Sequence, residues 1–466
     1  MNMDRKTQEQ YEKLVLTPIK VIIPQLAIPT IISMMVSMIY NLVDAYFVGK
    51  IGTAAAAAVG ILMSVQAIYQ AIGFMCGHGS GSNISRLLGQ GRVDEASNYA
   101  STAFLMSIVI TTILTIPALI FITPLMHMLG STTTILPYAR IYGYYMLICG
   151  PALAASCVLN NIMRYEGKAS LAMIGLVSGG VLNMIGDPIF MFGLKMGIHG
   201  AGLSTALSQY ISLGILFYMF YSGKTISKIS FKHFHLRKLA IGNIVSNGLP
   251  SLLRQVLNSV STMTLNIAAN PYGDAAIAAM TIVGRIVAFF ASMMVGIGQG
   301  YQPVGAYNYG AKKYKRIRQG FYFTWGLGEI LLMGAAIVGL LFSRELVSIF
   351  RDDQAVIAIG VRALRFQCFA LILQPLGIVC NMMFQSIGKA KIASLLASLR
   401  SGLYYIPALI ILPMFLGITG VEISQLVGDA LTFLTCVPIV IRFFRQLPNK
   451  NIETEIDHAY QQAKEE

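Results

Sequence analysis

The chain has 466 residues, of which 55% are hydrophobic and only 12% charged, with a formal net charge of +14 at pH 7 and a mean hydropathy of +0.66. That composition excludes a water-soluble domain built round one core and describes a chain whose solvent is lipid. The positive charge does not point to a nucleic-acid partner, because the basic residues are parcelled into alternate short loops and leave no continuous groove for a phosphate backbone.

Residues 1–16 are largely polar and form an expected cytoplasmic N-terminal segment; the apolar run after them is too long for a signal core, so the first span is expected to stay in the mature protein. Apolar stretches follow at 19–47, 54–84, 99–122, 136–163, 171–194 and 203–221. Each is long enough to cross roughly 30 Å of hydrocarbon as a helix. These six spans make an expected N-lobe over 17–221. A basic polar linker, 222–239, leads to a C-lobe over 240–446 with six more spans, and the polar tail 447–466, which has mixed charge, is expected to end in a short cytoplasmic helix. The fold class is therefore an all-α membrane protein of about twelve transmembrane helices. Arg5, Lys6, Lys13, Arg86, Arg92, Lys224, Lys228, Lys232, Arg237, Lys238, Lys312, Lys313, Lys315, Arg316, Arg318, Arg442 and Arg445 fall at the termini or in even-numbered loops. Cations in short loops stay inside, so both termini are expected in the cytoplasm and the protein in the plasma membrane.

The two halves are copies. Pro29, Gly52, Gly77, Gly79, Gly89, Asn160, Gly167 and Lys168 recur as Pro250, Gly273, Gly298, Gly300, Gly310, Asn381, Gly388 and Lys389 at one unbroken offset, which predicts two pseudo-symmetric six-helix bundles in parallel orientation. The copy breaks at two places. Asp44 and Asp187, carboxylates inside apolar stretches, fall opposite Leu265 and Ala408.

Those two acids share a depth. Asp44 lies six residues before Lys50 on the first span, roughly 9 Å below its outer end, and Asp187 lies eight before Lys195 on the fifth, roughly 12 Å. Thr205 on the sixth span follows His199 by six, roughly 9 Å. Tyr40 is one turn from Asp44 and Asn183 one turn from Asp187, so each carboxylate shares a face with a second polar group. The expected constellation is Tyr40, Asp44, Asn183, Asp187 and Thr205. A charged, unpaired carboxylate inside a span costs several kcal/mol, and a matched pair withdrawn from water is suited to binding and releasing a proton or small cation. The structural alternative is a kink at Asp187-Pro188 and an Asp44 that snorkels to the outer headgroups.

Other chemistries lack their residues. Cys76, Cys149, Cys157, Cys368, Cys380 and Cys436 show no Cys-x-x-Cys spacing, the histidines are scattered, and no Gly-x-Ser-x-Gly elbow, phosphate-cradling lysine motif or His-Glu-x-x-His is present. The reading is not an enzyme, with no cofactor and no metal beyond a coupling cation.

The stretches Pro29 with Tyr40-x-x-x-Asp44, Asn183-x-x-x-Asp187-Pro188, Gly202-Leu-Ser-Thr205, Arg164-x-Glu166-Gly167-Lys168, Gln302-Pro303 and Asn308-Tyr309-Gly310 together resemble the multidrug and toxic compound extrusion (MATE) family, in its DinF-like branch. The resemblance covers nearly the whole chain. It implies two six-helix bundles round a central cleft, and export of cationic or amphipathic organic compounds in exchange for protons or sodium ions. It also implies that Asp44, Asn183, Asp187 and Thr205 hold the coupling proton or sodium ion, with Tyr40 beside them and Pro29 the hinge of the first helix. The NorM-like branch relies on acids of the second lobe. This chain instead has Arg254 and Gln255 on the seventh span and no acid in the core of the tenth.

Substrate-cleft candidates are Met34, Met35, Met38, Met63, Gln66, Tyr69, Met293 and Met294, adaptable walls for varied drugs or, for any one of them, ordinary packing. In the second half, Arg254, Arg285 and Arg400 stand against Glu329, Glu422 and Asp429, to be paired with those acids or with carbonyls and water, or to serve an anionic substrate group. A monomeric drug and cation antiporter in contact with membrane lipid is the leading expectation, with a lipid-linked oligosaccharide flippase of related architecture as the alternative and a channel third.

Overall fold

A computed structural model describes residues 4–230, 238–448 and 451–465. Lys232 and Arg237 of the expected basic linker, and His233 and His235, lie outside the described residues. The described chain is all-α, with no strand. Twelve long helices follow one another: α1 Ile19–Gly49, α2 Thr53–Gly89, α3 Val93–Ile120, α4 Leu136–Tyr165, α5 Ala169–Gly193, α6 Ile198–Tyr221, α7 Lys238–Ala269, α8 Asp274–Gly310, α9 Tyr314–Leu341, α10 Gln354–Ser386, α11 Ala390–Leu416 and α12 Ile418–Gln446. Eleven of them are long and apolar enough to cross a membrane. The exception is α7, whose hydropathy is diluted by Asn243, Asn247, Ser251, Arg254, Gln255, Asn258 and Ser259. The tail carries a further helix, Glu455–Glu465.

Repeated residues do repeated work. At the end of α4 the Lys168 N–H donates to the Met163 carbonyl at 2.9 Å, and at the end of α10 the Lys389 N–H donates to Phe384 at 2.9 Å. Both turns need a left-handed residue, supplied by Gly167 at φ +78° and Gly388 at φ +81°. Asn160 then ties α4 to α5 through the Ala172 carbonyl at 2.8 Å, as Asn381 ties α10 to α11 through Ala393 at 2.7 Å.

Two compact units emerge. The amino-terminal unit gathers Met3–Gln10 and Ile32–Gly248; the carboxy-terminal unit gathers Tyr11–Ile31 and Leu249–Glu466. The boundaries cut α1 just past Pro29 and α7 just before Pro250. Hence the base of each repeat's first helix is packed with the other repeat. In the amino-terminal unit Gly79 of α2 meets the Ile244 carbonyl, and Gly248 of α7 meets Met75. In the carboxy-terminal unit Gly300 of α8 meets Ala27, and Gly296 meets Ile31. Glycines let these backbones approach in a solvent where apolar burial gives no drive between helices. Within the amino-terminal unit, Gly73, Gly77 and Gly81 form a ladder on α2 against Ala154, Asn161 and Tyr165 of α4.

Candidate functional site

Three helices of the amino-terminal unit converge on Asp187. α5 and α6 are drawn together by glycine contacts: Gly175 against Leu216, Gly179 against Ser212, Gly186 against Ser204, and Gly200 against the backbone of Phe190 and Met191. The upper half of α1 lies on Gly180 of α5 through Val36 and Tyr40. Just past Asp187-Pro188 the helix widens into a π-turn, Ile189–Gly193, closed by the Leu194 N–H donating to Ile189 at 2.8 Å. Such single π-turns re-aim side chains and recur at functional sites.

The side chains then meet. Asp187 is fully buried and Asn183 and Thr205 nearly so. The Asn183 amide donates to Asp187 Oδ1 at 3.3 Å and to Thr205 Oγ1 at 3.2 Å, and Ser204 returns its hydroxyl to the Asn183 carbonyl at 3.2 Å. Asp44 comes from α1, half-buried, close enough to interact directly with Asp187. Each acid keeps one enclosed oxygen, Asp44 Oδ1 and Asp187 Oδ2, without a hydrogen-bond partner. No salt bridge reaches either acid among the described residues. Two buried oxygens short of donors, rimmed by an amide and hydroxyls, fit a proton or an alkali cation.

All five expected residues are thus brought together, Tyr40 reaching Gln66 of α2 on one side and lying near Asp44 on the other. Sequence spacing missed two members. Tyr142 of α4, only 3% exposed, reaches Thr205 and lies near both carboxylates, and Ser204 sits against Gly186. Tyr142 lies six residues inside the Leu136 end of α4, roughly the 9 Å depth of Asp44, so the depth argument applied to a fourth helix reaches it.

The expected cleft residues separate. Met34, Met35, Met38, Gln66 and Met293 are half-buried and Met63 is exposed. Tyr69 is enclosed by its own bundle, its ring on Gly150 and its hydroxyl 2.7 Å from Thr115, and Met294 is fully buried against Gly328. In the carboxy-terminal unit Arg400 meets Asp429 at 2.9 Å, while Glu422 takes Arg362 at 3.0 Å, an arginine that spacing had not singled out. Arg254 is half-buried and Arg285 exposed.

Comparisons with known proteins follow the same repeat. The MatE family model matches twice, over residues 29–189 and 250–411. A multidrug export protein, MepA, from Staphylococcus saprophyticus is 28% identical over 89% of this chain and 92% of its own length, and the protein of that name from Staphylococcus aureus is 27% identical over 89% and 92%. Among solved structures, a multidrug resistance MATE family transporter of the MOP superfamily, in an outward-facing conformation, superposes with a TM-score of 0.88 at 26% identity, covering 97% of this chain and 100% of the other. With both halves matched and the fold shared over nearly the whole length, the chain belongs to the MatE family, that of the MATE membrane transporters.

Proposed function

We propose that this transporter exports cationic and amphipathic organic compounds in exchange for a proton taken up at Asp44 and Asp187. The carrying observation is the pair of enclosed carboxylate oxygens, Asp44 Oδ1 and Asp187 Oδ2, neither of which has a hydrogen-bond partner, on two acids close enough to interact directly. Two unit charges about 4 Å apart repel by about 4 kcal/mol at an effective dielectric of about 20, so a proton or small cation held between the acids relieves a large strain. Asn183 holds Asp187 in place through its amide, and Thr205 and Tyr142 close the cluster from α6 and α4.

The coupling step follows from α1. Its base is packed on α8 and its upper half on α5, with Pro29 between, where a missing backbone hydrogen bond weakens the helix. Neutralising Asp44 removes the repulsion that sets how α1 lies on α5, and α1 repacks about Pro29. Met34, Met35 and Met38 lie between Pro29 and Asp44, so that repacking moves flexible apolar side chains suited to varied drugs. The named activities of the MepA relatives support export rather than oligosaccharide flipping. The positive loops support a plasma-membrane protein with both termini on the cytoplasmic side.

The test is uptake of an aromatic cation into everted vesicles under an imposed pH gradient, then under a sodium gradient. Proton-driven accumulation lost in both Asp44→Asn and Asp187→Asn supports the reading. Accumulation that follows only sodium replaces the coupling ion, and flux independent of either gradient overturns antiport.

A further inference from the structure

The carboxy-terminal unit holds a polar cluster that the coupling step does not use. Arg400 lies in a π-turn of α11, Leu399–Leu403, ten residues from the start of that helix and hence roughly 15 Å deep. Its Nε donates to Asp429 Oδ1 of α12 at 2.9 Å, and Gln374 Nε2 of α10 donates to Asp429 Oδ2 at 3.0 Å. Asp429 thereby fixes a guanidinium and an amide side by side, with both of its own oxygens used.

What remains unused is a set of partners for something else. The Nη1 and Nη2 groups of Arg400 make no hydrogen bond to protein among the described residues, and its side chain is 27% exposed where that of Asp429 is 1%. Gln374 is 2% exposed, yet its Oε1 has no partner. A guanidinium at mid-membrane with open N–H groups faces a water-filled or ligand-filled space, since lipid cannot satisfy it. The open donors form the fork that matches a carboxylate, and the neighbouring Oε1 accepts from a donor beside it. Because Arg400 and Asp429 cancel in charge, the cluster does not repel a compound that also carries an ammonium group.

We propose that Arg400 and Gln374, positioned by Asp429, form a subsite for the carboxylate of zwitterionic substrates. This rests on the export reading above and adds to it the residues that would sort substrates by whether they bear an acid. Permanently cationic compounds without a carboxylate do not engage the subsite.

A matched pair of probes isolates the carboxylate: a fluoroquinolone and its methyl ester, transported by the full-length protein in proteoliposomes under one pH gradient. The wild type is expected to show the lower KM for the acid. Arg400→Gln raises the KM for the acid about tenfold more than the KM for the ester, as expected for loss of a charge-assisted pair, the cost of leaving Asp429 without its partner falling on both probes alike, while Arg400→Lys falls between. Equal KM for acid and ester in the wild type, or an acid-to-ester ratio unaltered in Arg400→Gln, overturns the subsite. Should Arg400→Gln lose ester transport as well, binding of both probes to the purified wild-type and Arg400→Lys proteins by fluorescence quenching gives the same ratio without transport, and a ratio alike in the two proteins overturns it. Failure of the wild type to export either probe or any organic cation removes the export reading itself, whereas normal export with no acid preference removes only this inference.

Discussion

In the amino-terminal unit Asp44 and Asp187 face one another with no cationic side chain bonded to either among the described residues, whereas in the carboxy-terminal unit Glu422 and Asp429 each meet an arginine at 3.0 and 2.9 Å. The helices are repeats of one another down to the asparagine and glycine that close α4 and α10. Only the electrical setting differs. One copy supplies Glu422 and Asp429 with permanent counter-charges; the other leaves Asp44 and Asp187 without any among the described residues, which is what the proposed ion coupling needs of one lobe. On the proposed reading, divergence after duplication separates a lobe whose acids take up the coupling ion from a lobe whose acids are held in ion pairs.

The largest effects follow from exchanging those roles. Asp44→Asn and Asp187→Asn are each expected to bring uphill export down to the level of vesicles lacking the protein while insertion and thermal stability hold. Asp429→Leu is expected to do the reverse: it strands Arg400 in the bundle, costing about 3–5 kcal/mol, and pairing it with Arg400→Met recovers most of that, because replacing a buried ion pair whole is often neutral. Thermal unfolding in detergent reads both. If Asp187→Asn destabilises the protein as much as Asp429→Leu does, the contrast between the units is lost.

The repeat was legible because eight residues with fixed backbone or capping duties kept one offset, and the acid cluster because a carboxylate in an apolar span is conspicuous and helix rise converts spacing to depth. Rotation about each helix axis was not legible. These helices are apolar nearly all round, so no polar stripe tells which way Tyr142 or Arg362 points. Tyr69 and Met294 were grouped with the cleft candidates for the same reason, while Gly150 and Gly328, which their side chains fill, lie on other helices with no spacing relation to them. The passage of α1 and α7 from one unit to the other was also hidden, since nothing local marks it except the paired prolines Pro29 and Pro250.

That passage predicts a graded steric effect. A Cβ on Gly79 would stand 2.0 Å from the Ile244 carbonyl oxygen, and one on Gly300 would stand 2.7 Å from the Ala27 nitrogen. Both obstacles are backbone and cannot swing aside. Overpacking of this kind costs about 1–3 kcal/mol, so Gly79→Ala and Gly300→Ala should both destabilise, Gly79→Ala more. Gly242, on the same α7 but with nothing within 4 Å of its Cβ position, is the control: Gly242→Ala should be neutral or stabilise by up to about 1 kcal/mol. Equal losses at all three positions would mean that helix propensity, and not the close crossing, sets the outcome.

The smallest effect compares two clasps outside the spans. In the amino-terminal unit Glu166, in the turn between α4 and α5, accepts from the backbone N–H groups of Ile226 and Ser227 at 2.9 Å each and from the Ser227 hydroxyl. In the carboxy-terminal unit Asp457 of the tail helix accepts from Lys313 at 2.9 Å, from Thr454 and from the Tyr11 hydroxyl. Burial pushes the Glu166 carboxyl up, against the opposing pull of its hydrogen bonds. For Asp457 burial also pushes up, but the bonds from Tyr11, Lys313 and Thr454 outweigh it and hold the group below the ordinary range. The signs are opposite. Folded Glu166 binds its proton more readily than the unfolded chain, so its clasp gains as pH falls from the raised folded value toward about 4.3. The Asp457 clasp is fully present above about 3.9 and is lost only as pH falls through its lower folded value. Hydrogen exchange at about pH 7.5 and about pH 5, corrected for intrinsic rates, should therefore show the Ile226 and Ser227 amides gaining protection, by at most about tenfold, while the Thr454 amide does not change. A matching gain at Thr454 would show that both clasps tighten with acid together and that Glu166 is not the cause.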